Sequence, residues 1–263
     1  MQAQTDSGGA YSEDGFLGKR LIIRQPRHGH RSGHDAVLLA ASVGSEKTQS
    51  VCDLGAGAGV VGLCIMARLP NAQLVGVEID PGLCNLARKN AATNGFTERA
   101  QFVSGDITGP FSALGLRSNS FDHVVANPPF YQNNRVPPVQ DAARARAHQT
   151  HAAGLENWVR CACALAAGNG LVTFIHRAEA LDELLLAMCG RLGALKVQPV
   201  APRAGEAAHR VLVQGRRDAR TPLVLLAPIA LQNATGEPSA EAEAILRHGA
   251  TLAFARTDGE FRA

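Results

Sequence analysis

A chain of 263 residues with 46% hydrophobic content can fill a sizeable core, as one large domain or as a domain with an appendage. Its formal charge of +3 is mildly basic and neither demands nor excludes a nucleic-acid partner. No apolar run reaches the length of a membrane span. The polar start MQAQTDSGGAYSEDG lacks the basic-then-apolar order of a secretory signal, so a cytoplasmic protein with a frayed start and no membrane attachment is expected. Cys52, Cys64, Cys84, Cys161, Cys163 and Cys189 lie mostly in apolar segments without paired CxxC spacing, which favours reduced packing residues over disulfides or a zinc site.

In chain order, Leu21-Ile22-Ile23 has the composition of a short strand, and Asp35 opens a helical pattern through Ala36 to Ala41. A regular alternation starts at Ser50. The apolar run Val51-Cys52-Asp53-Leu54 ends at Gly55 and is followed by a helix through Leu63 to Met66; Gln73 to Glu78 is followed by a helix from Pro81 through Asn94. Strands are then expected from Ala100 to Ser104 and from Asp122 to Ala126. Strand, helix, strand in this order is what a parallel sheet covered on both faces requires. Further strands are expected at Leu171 to His176, Leu195 to Val200 and Arg210 to Gln214, with a helix from Ala178 to Cys189, and Leu223 to Leu226 is a candidate edge strand. Between them, the stretch from Gln132 to Thr150 carries polar, Pro and Arg residues with no apolar period, as a loop does.

The glycine-rich segment Asp53-Leu54-Gly55-Ala56-Gly57-Ala58-Gly59 falls at the first strand-to-helix junction of this alternation, where glycines let a ligand approach the backbone. From Gly57, GAGVVG also fits the dinucleotide fingerprint GxGxxG, with Glu78 at about the ~20-residue distance of a ribose-binding acid. A carboxylate at Asp53 would repel a pyrophosphate but suits a ligand carrying an ammonium and a sulfonium. Glu78, Asp106 and Asn127 close the next three strands, so polar side chains at successive strand ends suit a nucleoside with an amino-acid tail laid across the carboxyl edge of an open sheet.

Asn127-Pro128-Pro129-Phe130 ends the fourth strand. Neither Pro can donate a hydrogen bond, so the Asn side chain and a backbone carbonyl are left outside the ladder. Two acceptors beside an aromatic ring from Phe130 or Tyr131 can hold a planar amino group and stack on the ring that carries it. Taken alone, the segment is equally a Pro-rich strand terminator with a buried Phe.

The segments VCDLGAGAGVVGL, LVGVEIDP, FVSGDI and VVANPPFY resemble, in order and spacing, the class I S-adenosylmethionine-dependent methyltransferases with an amino-nitrogen target. The preceding RHGHRSGHDAVLLAA resembles the segment before the core in bacterial valine-tRNA adenine-N6 methyltransferases; the likeness covers roughly residues 20 to 215 and is strongest from Arg31 to Tyr131. The resemblance implies S-adenosylmethionine as cofactor, with Gly55 and Gly57 close to its methionine portion and Asp53 near its amino group. It implies that Glu78 accepts from the ribose hydroxyls and Asp106 from the adenine amine. Asn127 and the Pro128 carbonyl would accept from the target amine, with Phe130 or Tyr131 as stacking platform. The family usually carries Tyr directly after the double Pro, whereas this chain has Phe130 and then Tyr131; Phe there also occurs in guanine-N2 methyltransferases of ribosomal RNA.

The expected fold is therefore α/β: a doubly wound, mostly parallel, seven-stranded Rossmann-like methyltransferase sheet with a short N-terminal strand-helix extension and a C-terminal antiparallel addition. Residues 1–18 are expected as a flexible start, 19–230 as the methyltransferase domain including its extension 19–48, and 231–263 as a C-terminal extension. The expected activity is methylation of adenine N6 in tRNA or another structured RNA. Protein-glutamine or guanine-N2 methylation, a catalytically silent cofactor- or RNA-binding module, and a nicotinamide oxidoreductase are the competing readings. Arg135, Arg144 and Arg146 after the Pro-rich strand end, and Lys19, Arg20, Arg24, Arg27 and Arg31 near the start, are candidate RNA phosphate contacts. No obligate protein partner is expected. No metal is expected either, since His148 and His151 stand at helical spacing without carboxylate or Cys support.

Overall fold

The computed structural model describes residues 10–29, 31–44, 48–129 and 154–255. Its first element is an antiparallel hairpin of β1 (Tyr11–Phe16) and β2 (Leu21–Pro26). In β2, buried Leu21, Ile23 and Gln25 alternate with exposed Ile22 and Arg24, the pattern of a half-buried strand. β1 lies inside the stretch expected as a flexible start. Most of its side chains are exposed or half-buried, so it carries no apolar period; the backbone ladder to β2 orders it.

The helix α1 (His34–Ala41) is followed by β3 (Ser50–Leu54), α2 (Val60–Arg68), β4 (Gln73–Glu78), α3 (Pro81–Thr93), β5 (Ala100–Ser104) and β6 (Phe121–Ala126). Asp80 caps α3, accepting from the Gly82 and Leu83 amides with Pro81 at the first helical position, which satisfies donors that the helix itself leaves open. After the undescribed segment come α4 (Leu155–Leu165), β7 (Ala166–Arg177), α5 (Leu181–Met188), β8 (Gly193–Arg203) and β9 (Arg210–Arg216). Two short strands, β10 (Val224–Leu225) and β11 (Ile229–Gln232), and the helix α6 (Ala240–Leu246) follow.

The strand order is β10-β8-β9-β7-β6-β3-β4-β5, with β11 also paired to β8. Every pairing is parallel except those of β9, which runs antiparallel to both β7 and β8. The expected doubly wound α/β class is what the chain adopts, but the sheet has nine strands where seven were expected. The expected antiparallel addition is β9, whereas β10 and β11 share the outer edge of β8 in parallel. They are separated by Pro228, which cannot donate to the ladder.

Strand side chains alternate between two cores. Val51, Val125, Ile175 and Leu212 pack with α1, α2 and α3 on one face; Cys52, Val124, Ala126, Phe174 and Val211 pack with α4 and α5 on the other. The C-terminal segment closes the first core, with Phe254 1% exposed and the Leu252 amide donating to Ala41 O at 2.9 Å. Arg68 holds it there, donating from Nε to Gly249 O (2.8 Å), from Nη2 to Thr251 Oγ1 (2.7 Å), and from Nη1 to Ala40 O and Val43 O at the end of α1.

Candidate functional site

The register of the sheet fixes the site. Leu54 stands opposite Val77 on one side and Ala126 on the other, so the next residues, Gly55, Glu78 and Asn127, leave three neighbouring strands at one level. With about 4.8 Å between strands, Glu78 and Asn127 are about 10 Å apart with Gly55 between them. Glu78 pairs with Ser104, and Asp106 follows two residues later. These residues line the carboxyl edge of a parallel sheet, where open α/β folds bind their ligands.

The turn after β3 is built from left-handed glycines, Gly55 (φ 69°), Gly57 (φ 56°) and Gly59 (φ 86°). A Cβ on Gly55 would lie 2.6 Å from Cη2 of Trp158 on α4, while one on Gly57 would meet nothing within 4 Å. Gly55 is thus required by a packed indole and by its backbone, and Gly57 by its backbone alone. Backbone donors pin the turn: Gly55 N and Ala56 N to Val77 O (2.8 and 2.9 Å), and Gly57 N to Glu78 Oε2 (2.7 Å). The other oxygen of Glu78 accepts from Asp80 N at 2.9 Å, so this carboxylate shapes the turn and each oxygen keeps a further acceptor site.

Asp53 is 1% exposed, and its Oδ2 accepts from the Gly62 amide at 3.0 Å. Burial pushes its carboxyl up to about 7; the Gly62 hydrogen bond pulls downward and the Glu78 charge pushes further up. A buried carboxylate with one hydrogen bond is a good seat for a cation. Asp106 is exposed, with Oδ1 accepting from Thr108 N at 2.8 Å in a turn of its own loop. Asn127 is half-buried, yet its Oδ1 is fully buried with no hydrogen-bond partner among the described residues. A buried acceptor left open in this way is costly, and a ligand donor would relieve it. Pro128 beside it is buried and Pro129 exposed.

Phe130, Tyr131, Arg135, Arg144, Arg146, His148 and His151 lie outside the described residues. Near the start, Arg24 pairs with Glu13 (3.0 Å), Arg31 with Asp14 (2.7 Å), and Arg20 donates to Leu17 O and His248 O (3.2 and 3.1 Å). These cations therefore already have partners in the fold. Two neighbours of the site lie outside the motifs read from the sequence, Trp158 and Asn90, which donates to Ala58 O at 2.9 Å; a third, Ile79, is 50% exposed directly after Glu78. An isolated Trp in an amphipathic helix and an Asn inside α3 are ordinary features of a sequence; an apolar residue after the ribose-type acid is the one signal available.

The family model of the methyltransferase small domain matches residues 33–151. The tRNA1(Val) (adenine(37)-N6)-methyltransferase of Porphyromonas gingivalis is 32% identical over 208 residues, covering 77% of this chain and 81% of that protein. The enzyme of the same name from Actinobacillus succinogenes is 30% identical over 201 residues, covering 76% and 82%. Among solved structures, a predicted O-methyltransferase from Agrobacterium tumefaciens superposes with a TM-score of 0.70 at 26% identity, over 83% of this chain and 98% of that one. The precorrin-6y C5,15-methyltransferase of Geobacter metallireducens shares the fold, with a TM-score of 0.51 at 12% identity over 75% and 94%. No described helix is long and apolar enough to cross a membrane.

Proposed function

The chain belongs to the methyltransferase small-domain family, alongside the tRNA1(Val) (adenine(37)-N6)-methyltransferases, and is an S-adenosylmethionine-dependent methyltransferase; from that premise we propose that its substrate is the exocyclic N6 amine of an adenine in tRNA. The observation that carries the reading is the buried, unpartnered Oδ1 of Asn127, level with the glycine turn and one strand away from it. An acceptor so placed is matched to an N–H donor arriving beside the cofactor.

The residues of the edge fit the cofactor. Asp53 offers buried negative charge for its ammonium, Gly57 an open backbone for its methionine portion next to Gly55, which Trp158 covers, Glu78 acceptors for its ribose hydroxyls, and Asp106 an acceptor for its adenine amine. When bound, S-adenosylmethionine supplies an electrophilic methyl on a sulfonium. Asn127 Oδ1 and the Pro128 carbonyl act on the other reactant. An aromatic amine is a poor nucleophile because its lone pair is spread into the ring. Accepting both of its hydrogens fixes the amine and favours the geometry that localises the lone pair. The rate gain then comes from alignment and from acceptors set for the developing positive charge on nitrogen. Phe130 or Tyr131 would stack on the base, which must be unpaired or turned out to enter. The proton is shed to water after transfer, so no general base is required of the chain.

The test is nucleoside mass spectrometry of tRNA from a strain lacking the protein, repeated after treatment with the purified enzyme. N6-methyladenosine should be missing from one tRNA and be restored by the enzyme but not by an Asn127→Ala variant that still binds S-adenosylmethionine. A tRNA pool with unchanged N6-methyladenosine would remove tRNA as the substrate, and a methylated glutamine or guanine-N2 in its place would redirect the reading.

A further inference from the structure

Asn90 on α3 is 1% exposed and saturates its side-chain amide across three elements. Its Nδ2 donates to Arg24 O in β2 and to Ala58 O in the glycine turn, both at 2.9 Å, and its Oδ1 accepts from Arg24 N at 3.0 Å. One turn further along α3, Asn94 repeats half of this arrangement. Its Oδ1 accepts from Ile22 N (3.1 Å) and its Nδ2 donates to Ile22 O (2.9 Å), with a second bond back to Asn90 O (2.8 Å) rather than to the turn. The geometry is matched: four residues of helix rise about 6 Å, and two residues of strand about 6.8 Å, so amides spaced i, i+4 meet alternate strand residues. Two asparagines thus complete the open edge of β2 as a neighbouring strand would. Asn90 alone of the two also reaches the turn.

Ala58 lies between Gly57, whose amide is held by Glu78, and Gly59, the N-cap of α2. Fixing the Ala58 peptide therefore fixes the stretch whose left-handed conformation opens the cradle. We propose that Asn90 is a positioning residue that couples the N-terminal hairpin to the cofactor turn, so that cofactor binding tightens the hairpin and docking of the hairpin tightens cofactor binding. The reciprocity follows because both act on one hydrogen-bonded amide. This rests on the cofactor site described above and not on the identity of the methyl acceptor.

Asn90→Ala should raise the S-adenosylmethionine Kd, measured by calorimetry, and its KM by about tenfold, in the range set by loss of one buried hydrogen bond, with kcat little changed. Asn94→Ala, which removes the bonds to Ile22 but keeps those of Asn90 to Arg24 and Ala58, should leave both within about twofold. Equal shifts in the two variants, or none in Asn90→Ala, would overturn the coupling and leave only a docking role. The wild-type protein supplies a second measurement should Asn90→Ala fail to fold. Saturating S-adenosylmethionine should slow hydrogen exchange of the Arg24 amide, which donates to Asn90, by more than that of the Ile22 amide, which donates to Asn94. Equal protection of the two refutes the proposal. Neither measurement uses RNA, so they stand apart from the outcome of the tRNA experiment.

Discussion

Asp53→Asn isolates the electrostatic tension in the proposed cofactor site. The folded protein holds this carboxyl at about 7 against an ordinary 3.8, because burial penalises its charge more than the Gly62 hydrogen bond favours it. An acid whose pKa is raised by folding gives stability that is intact below its unfolded value and is lost as pH rises through its folded value. The window therefore opens near 3.8 and closes just above 7. At 1.36 kcal/mol per unit, the raised pKa removes about 2 kcal/mol of the low-pH stability of the ligand-free protein by pH 5 and about 4 kcal/mol by pH 8. Asn keeps an oxygen for the Gly62 amide and removes the charge, so the variant should be the more stable protein, increasingly so toward pH 8. His123, lowered to about 3, and His176, also lowered by burial, destabilise the fold as pH falls below the ordinary histidine value. They are common to both proteins and cancel in the difference. Urea unfolding followed by circular dichroism from pH 5 to 8 gives that difference directly. Calorimetry completes the test: affinity of the wild type for S-adenosylmethionine should rise as pH approaches 7.5, and that of the variant should be weaker and flat. A stability difference that stays constant across this range would refute the assignment of buried charge to Asp53.

Trp158 is the one tryptophan of the chain and its indole lies against Gly55, so S-adenosylmethionine should change its emission with the Kd found by calorimetry; binding without any emission change would remove Trp158 from the cradle. Arg68→Met should destabilise the protein by about 2–4 kcal/mol, since it leaves carbonyls of α1 and of the C-terminal segment without their charged donor, and limited proteolysis should then cut first beyond Arg247; a Tm within a degree of wild type would contradict this. Arg177 and Arg210 are direct cross-strand partners, and each is already paired with a carboxylate, Arg177 with Glu179 (2.6 Å) and Arg210 with Asp35 (2.8 Å). Loss of the Arg177 pair with Glu179, whose side chain is 68% exposed, should therefore change stability by no more than about 0.5 kcal/mol in Arg177→Gln. If the pair faces RNA, the same variant should lower the salt dependence of tRNA binding by about one phosphate contact; an unchanged slope would assign it no RNA contact.

The fold class was legible because apolar runs of five or six residues alternate with helical periods from Ser50 to Ala126, and a buried parallel sheet leaves that trace. β1 left none, because its partner strand and not a core face orders it. β10 falls inside the edge strand expected at Leu223 to Leu226, whereas β11 was illegible for a related reason: it is a short piece stitched to the edge of β8, and its pairing is set by β8. In the candidate site, each strand-end residue could be named from its local motif, whereas their alignment at one level follows from register, which pairs residues more than 20 positions apart. Asn90 and Trp158 show the limit most clearly. Each acts through a backbone atom or a glycine Cα of another element, and no spacing within its own helix records that contact.

The row Asp106, Glu78, Gly55, Asn127 also divides the labour of the edge. From β5 to β3 the side chains are spent on shaping the protein: Glu78 holds Gly57 and Asp80, Asp106 holds Thr108, and Asp53 holds Gly62. At β6 the pattern stops, and among the described residues Asn127 Oδ1 has no partner. A site meant only to bind a nucleoside would gain nothing from carrying that cost beyond the end of the ligand. Its position, one strand past the cofactor turn and next to the strand that carries Arg177, makes sense if a second molecule supplies the missing donor. On the proposed reading, the preformed half of the edge would set which methyl donor is used, and the unsatisfied half would select an acceptor by its N–H groups. On that reading, discrimination among molecules that share such an amine would come from contacts beyond Asn127, toward β7 and β9, since a single acceptor there matches only the amine.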